Sequence, residues 1–186
     1  MIPLLLNTFG TWLAYFLLRD FCRCSQAGAA LIVITASILV YWRNLFQRRY
    51  LMSWLNQLLF ALIYLNAARI HSRFFEDYTT AISYSLFAIA GVGSLLINRP
   101  FTLQYARQSV SPERWSNPLF QRINFTLSAV WSAVFVFNAA VNCLPALGDR
   151  SWILRSLSVS LTSLAVIFTV EYPAWSVNRA KISRPC

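Results

Sequence analysis

Residues 123–144 read INFTLSAVWSAVFVFNAAVNCL, and this stretch decides the fold class. It carries no charged side chain. It matches the roughly 20 apolar residues a helix needs to cross the hydrocarbon core. Its polar residues are not scattered. Asn124, Ser128, Trp131, Phe135, Asn138 and Asn142 recur at alternating steps of four and three, so they share one helical face. A polar face turned to lipid is costly, so the spacing predicts a membrane helix that packs this stripe against other helices.

Similar charge-free runs recur on either side of this one. They place helices at about 2–18, 27–42, 51–68, 78–97, 123–144 and 152–172. The expected fold is all-α: a polytopic membrane bundle of six apolar segments forming a single domain over 1–186. The first segment contains Pro3, Asn7, Thr8 and Gly10, which suit a half-spanning or re-entrant helix. No basic stretch precedes it and no small-residue cleavage site follows before Arg19, so it does not read as a cleaved signal peptide. Composition agrees with a membrane class. Of 186 residues, 58% are hydrophobic and 12% charged, against about 45–50% and 25% in soluble domains. This balance excludes an ordinary soluble enzyme, a disordered chain and a disulfide scaffold.

Fifteen Arg and one Lys against six acids give a net charge of +10. In a soluble protein that excess points to nucleic acid. Here the basic residues fall between apolar runs, so they read as topology signals and headgroup contacts, with no nucleic-acid partner expected. Ten lie on one side: Arg43, Arg48, Arg49, Arg99, Arg107, Arg114, Arg122, Arg179, Lys181 and Arg184. Six lie on the other: Arg19, Arg23, Arg69, Arg73, Arg150 and Arg155. The positive-inside rule then puts the C-terminus in the cytoplasm.

The longest connection, 99–122, falls on the expected cytoplasmic side. Pro100 ends the preceding helix, and Ser111-Pro112 reads as an N-cap with Pro at the first helical position. Two short interfacial helices are expected. Phe101, Leu103, Tyr105, Trp115 and Phe120 would lie in the headgroup layer, with arginines reaching phosphate. Tyr105, Arg107, Arg114 and Trp115 form a candidate surface for a partner or for lipid.

Two further stripes accompany the first. The fourth segment has Thr80, Tyr84, Phe87, Gly91, Ser94 and Asn98. The sixth has Ser156, Ser160, Ser163, Ile167 and Glu171. Both are expected to face the bundle, as interhelical glue or as the lining of a polar cavity. Tyr84, Asn124, Asn138, Asn142, Ser160 and Glu171 are the candidate cavity residues. Glu171 is the only acid inside an expected span. It reads as an interfacial acid paired with Arg179, or as the carboxylate of a proton-coupled step.

Catalysis has little support. His71 is the only histidine, which excludes a zinc site of several histidines or a bis-His haem built from one chain. Cys22 and Cys24 are too close in sequence for an unstrained disulfide, Cys143 reads as a small apolar residue, and the ending at Cys186 lacks the prenylation pattern. No nucleophile elbow, zinc-protease or phosphate-loop motif occurs. No cofactor, metal or enzymatic activity is expected.

The order of several features resembles the bacterial intracellular septation protein A family of small inner-membrane proteins. These are Pro3-Leu4, Ala29-Ala30-Leu31-Ile32-Val33, Thr35-Ala36, Tyr41-Trp42, Tyr84-Ser85-Leu86-Phe87-Ala88, Pro100 after a basic residue, Trp115, Asn124, Ala129, Trp131 and Phe135. The resemblance implies five or six spans, a cytoplasmic C-terminus, and a role in septation and cell-envelope maintenance through division and elongation proteins. The expected function is therefore a non-enzymatic inner-membrane assembly protein acting through helix and loop contacts. It would contact phospholipid and a membrane-protein partner of the envelope machinery, with homo-oligomerisation open. The alternative is a small-solute, ion or lipid transporter with a polar cavity between the fourth, fifth and sixth segments.

Overall fold

The computed structural model describes residues 10–47, 50–143 and 151–182. Every element in them is helical, and no strand occurs among the described residues. In chain order these are α1 (10–16), α2 (Gln26–Trp42), α3 (Leu51–Leu65), α4 (Arg73–Leu96), α5 (Phe101–Ala106), α6 (Pro118–Asn142) and α7 (Ser151–Ile182). Wider π-type turns follow α1 at Leu17–Phe21, α2 at Arg43–Gln47 and α3 at Asn66–Ile70. The chain divides into two compact units, Ile2–Phe87 and Ala88–Cys186, with the division inside α4.

Among the described residues, four helices are long and apolar enough to cross a membrane: Leu51–Ile70, Arg73–Leu96, Pro118–Asn142 and Ser156–Ala180. Gln26–Trp42 is apolar but shorter. Six segments were expected, and the structure supports four at full length. One reason is that absence of charge does not fix helix length: α2 meets a non-helical Tyr41 (φ −106°, ψ 22°) at its end. The first segment is helical from residue 10, and its earlier residues, with Pro3, Asn7 and Thr8, lie outside the described residues. So do Arg48, Arg49, Asp149, Arg150, Arg184 and Cys186.

The helices also extend past the expected limits, because charge marks the edge of the hydrocarbon rather than the end of a helix. α4 begins at Arg73 rather than 78. Ser72 caps it, accepting from the Phe75 N–H at 3.4 Å, and the acid Glu76 in its first turn suits the positive end of the helix dipole. α6 begins at Pro118 rather than 123. Asn117 accepts from the Leu119 N–H at 2.8 Å, and Pro118 occupies the first position. α7 runs on to Ile182 through Pro173. Proline has no N–H to give the carbonyl one turn back.

In the first unit, Tyr15, Ala29, Ala30, Val33, Phe60 and Ile63 form a buried core, with Trp12, Leu18 and Ile34 packed against it. Ala29 and Ala30 are small, fully buried residues of α2 in this core, and the rings of Tyr15 and Phe60 meet in it at 5.5 Å between centroids. Asn56 is buried on α3 and is bridged to α1 twice. It accepts from the Trp12 indole N–H at 3.1 Å and donates to the Thr11 hydroxyl at 3.2 Å. Burying this amide requires partners, and α1 supplies them.

In the second unit, α6 packs against both α5 and α7. Gly91 of α4 meets Ser132 of α6 so closely that a Cβ on Gly91 would lie 2.5 Å from the serine hydroxyl, whereas one on Gly93 would meet nothing within 4 Å. Gly91→Ala and Gly93→Ala share the same gain in helix propensity, so their difference reports this contact. Gly93→Ala is expected to melt at or above the parent protein. Gly91→Ala is expected to be less stable than Gly93→Ala by about 1–3 kcal/mol, the range for overpacking. Unfolding of both purified variants in the same detergent measures this.

Candidate functional site

Three features of the second unit have chemical potential: the polar stripe of α6, the outer stripe of α7, and a basic cleft where α4, α5 and α6 meet.

The α6 stripe is buried. Asn124, Ser128, Trp131, Phe135 and Asn138 are all nearly inaccessible, and Asn142 is half-buried. Most of its polar groups are used in packing. The Thr102 hydroxyl of α5 donates to the Asn124 carbonyl at 2.8 Å and lies 2.9 Å from Ser128 Oγ, which also accepts from the Thr102 N–H at 3.3 Å. The Trp131 indole N–H donates to Thr169 Oγ1 of α7 at 2.9 Å, and Asn138 donates to Thr162 Oγ1 of α7 at 3.3 Å. Thr169 and Thr162 pass their own protons to the Ala165 and Ser158 carbonyls, one turn back. The side-chain oxygens of Asn124 and Asn138 are buried without a hydrogen-bond partner.

The α7 stripe faces the other way. Ser156, Ser160, Ser163, Ile167 and Glu171 were expected to face the bundle, and all five are exposed. The face turned inward is instead Ser158, Thr162, Ala165, Thr169, Tyr172 and Ser176, each buried or half-buried. Both sets follow the same heptad spacing, so periodicity alone could not choose between them. In the inner set, Thr162 and Thr169 accept from the α6 amide and indole donors. The Glu171–Arg179 ion pair does not form. The Arg179 guanidinium lies over the Trp175 ring at 5.2 Å, at the end of a ladder of rings from Phe168 through Tyr172.

The candidate cavity residues therefore do not gather around one space. Asn124 and Asn138 are buried four turns apart on α6, a separation of about 21 Å at 1.5 Å per residue. Ser160 and Glu171 are outside, and Tyr84 is half-buried in the first unit.

The basic cleft was not expected. It has a volume of about 690 Å³ and is lined by Asn98, Arg99, Leu103, Arg107, Arg122 and Phe125, together with Pro100 and two glutamines. Its geometry begins at the end of α4. Asn98 takes a left-handed conformation (φ 53°), its N–H returns to the Leu95 carbonyl at 2.9 Å, and the Arg99 N–H returns to the Ser94 carbonyl at 2.8 Å. These two bonds are a Schellman closure, which asparagine tolerates better than most residues. The chain then enters α5 with its first amides taken by side chains: Phe101 N–H by Ser94 Oγ at 3.2 Å, Thr102 N–H by Ser128 Oγ. α5 buries Phe101, Thr102, Tyr105 and Ala106.

That burial corrects the reading of Tyr105 as a surface contact. Tyr105 has no accessible surface, because α5 is wedged into the unit rather than laid on it. Arg107 and Trp115 are brought together, the guanidinium 5.0 Å from the ring centroid. Trp115 also donates to the Val110 carbonyl at 3.0 Å, so it fastens the turn that carries Arg107. Arg114 is exposed on a single 3-10 turn, Pro112–Arg114, where a second interfacial helix was expected. Arg99 and Arg122 were read as topology signals and headgroup contacts, and not as parts of one site. Their convergence with Arg107 depends on the Asn98 turn and on the early start of α6 at Asn117-Pro118.

No family model matches the chain, and no curated protein or solved structure matches it either.

Removing either partner of the Trp131–Thr169 bond tests the packing role of the α6 stripe. Trp131→Phe and Thr169→Val are each expected to destabilise the protein. A double-mutant cycle, read from unfolding in one detergent, is expected to give a coupling of about 0.6–1.7 kcal/mol, the range for hydrogen bonds between membrane helices.

Proposed function

We propose that this chain is a non-enzymatic assembly protein of a bacterial inner membrane, acting through contacts of α7 with a helix of another membrane protein. This is the kind of role that the resemblance to the septation protein A family implies, and it takes the C-terminal end of α7 as cytoplasmic. The observation that carries it is the outer seam of α7. Only 11% of the apolar window of this span is buried, against 56% in α6. The exposed face holds Ser156, Ser160, Ser163 and Glu171, flanked by Leu157, Val159, Leu164 and Val170.

Serines in such a seam can return their protons to the carbonyls of their own helix. A carboxylate cannot. An ionisable group costs up to about 2.5–3.5 kcal/mol at mid-membrane by insertion scales, so Glu171 calls for a donor from outside. Small residues one turn apart also allow close helix approach. The occupant that fits is a membrane helix with a small-residue seam and a hydrogen-bond donor or basic group opposite Glu171.

A photo-crosslinking residue at position 160 in native membranes tests this reading. The expected product joins the chain to one other membrane protein and is lost several-fold on Glu171→Leu. Lipid adducts alone, or a product of the chain with itself, would contradict it.

The transporter reading retains one supporting observation, the unpartnered buried oxygens of Asn124 and Asn138. It expects solute flux in proteoliposomes of the purified protein that Asn138→Leu abolishes. Absence of any flux would remove it.

A further inference from the structure

We propose that the cleft of Arg99, Arg107 and Arg122 is a binding site for the phosphate of an anionic phospholipid. Three arginines from three consecutive pieces of backbone, the α4 turn, the end of α5 and the start of α6, line one space. No acid lines that space. Among the described residues none of the three arginines pairs with a carboxylate. Three like charges held around one cleft repel one another unless an anion enters. Arginine is suited to such an anion, because its planar fork of donors matches phosphate oxygens two at a time. The volume lies within the usual 300–1,000 Å³ of ligand sites.

The position favours a lipid over a free phosphate. Arg99 lies just beyond the end of the α4 span, and Arg122 lies one turn inside α6. The cleft therefore sits at the boundary between hydrocarbon and water. Its walls are amphipathic. On α6, Phe125 follows Arg122 by three positions, on the same face and one turn further along the span. On α5, Leu103 precedes Arg107 by four. Phe125 is exposed and lines the cleft, which gives an acyl chain an apolar seat below the charged groups. A soluble phosphate ester would have no use for that seat. Three contacts hold this part of the chain in place before any ligand arrives. Trp115 lies against Arg107, and Ser94 and Ser128 pin the helix that follows Arg99.

Native mass spectrometry of the full chain, released from nanodiscs of phosphatidylcholine containing a minor fraction of phosphatidylglycerol, tests this. The parent protein is expected to retain phosphatidylglycerol over phosphatidylcholine. The triple variant Arg99→Gln, Arg107→Gln, Arg122→Gln is expected to lose that retention at least tenfold. Each single variant should lose it a few-fold, and these carry the test if the triple variant does not fold. Arg122→Lys keeps the charge but not the fork, and should fall between Arg122→Gln and the parent. Arg114→Gln, on the neighbouring turn outside the cleft, should leave retention unchanged. Retention that survives the three single variants would overturn the proposal. So would an Arg114→Gln loss as large as that of Arg122→Gln, which would indicate general surface charge. Inorganic phosphate alone is the remaining arm: displacement of the lipid by millimolar phosphate would assign the cleft to a soluble anion instead.

Discussion

The Thr102 hydroxyl, shared between the Asn124 carbonyl and Ser128 Oγ, is the contact on which the second unit depends. Polar groups at this depth have no bulk water to turn to, so leaving one unmet by the rest of the chain is costly. Thr102 meets two on α6 while its own N–H is taken by the same serine. One residue of a six-residue helix thereby fixes α5 against a 25-residue one. The consequences extend in both directions. Upstream, the Asn98–Arg99 turn must close where α5 begins. Downstream, α5 ends with Arg107 beside Trp115. The basic cleft is a by-product of this packing, built from groups that the packing leaves outside.

The same requirement explains the two faces of α7. Its inner threonines receive the Trp131 and Asn138 donors that α6 would otherwise bury unmet. Its outer face has no such obligation within the unit, and there Glu171 and three serines stand among leucine and valine. A helix whose inner threonines are engaged within the unit, and whose outer face carries an acid with no partner there, is suited to joining one bundle to another. In the proposed attachment to a second membrane protein, the Glu171 carboxylate would be the group that sets selectivity.

Much of the architecture was legible in the sequence. The α6 stripe was readable because Asn, Ser and Trp at steps of four and three can only pack inward in a bilayer, and the structure buries them. On α7 the rule failed for a definite reason. Two heptad stripes two residues apart, Ser160-Ser163-Ile167 and Thr162-Ala165-Thr169, differ in which residues find donors on α6, and that is a property of the pair of helices. Helix ends were misplaced wherever a cap lay beyond a charge, as with Ser72 before α4 and Asn117-Pro118 before α6. The capping rule that was applied at Ser111-Pro112 applied equally at Asn117-Pro118. Arg99 and Arg122 are separated by 22 intervening residues, and no local pattern marks their convergence. It follows from a left-handed asparagine and a buried short helix, both of which are settled by tertiary contacts.

The division of α7 into an inner and an outer face is the central claim, and it can be measured by collision of a nitroxide with dissolved oxygen, which partitions into lipid. Labels at positions 160, 163 and 167 would be compared in native membranes and in the purified protein reconstituted into bilayers. The account predicts low oxygen accessibility at all three in native membranes, where a partner helix covers the seam, and high accessibility after purification. Equal and high accessibility in both would show that the seam faces lipid in the cell and would contradict the account.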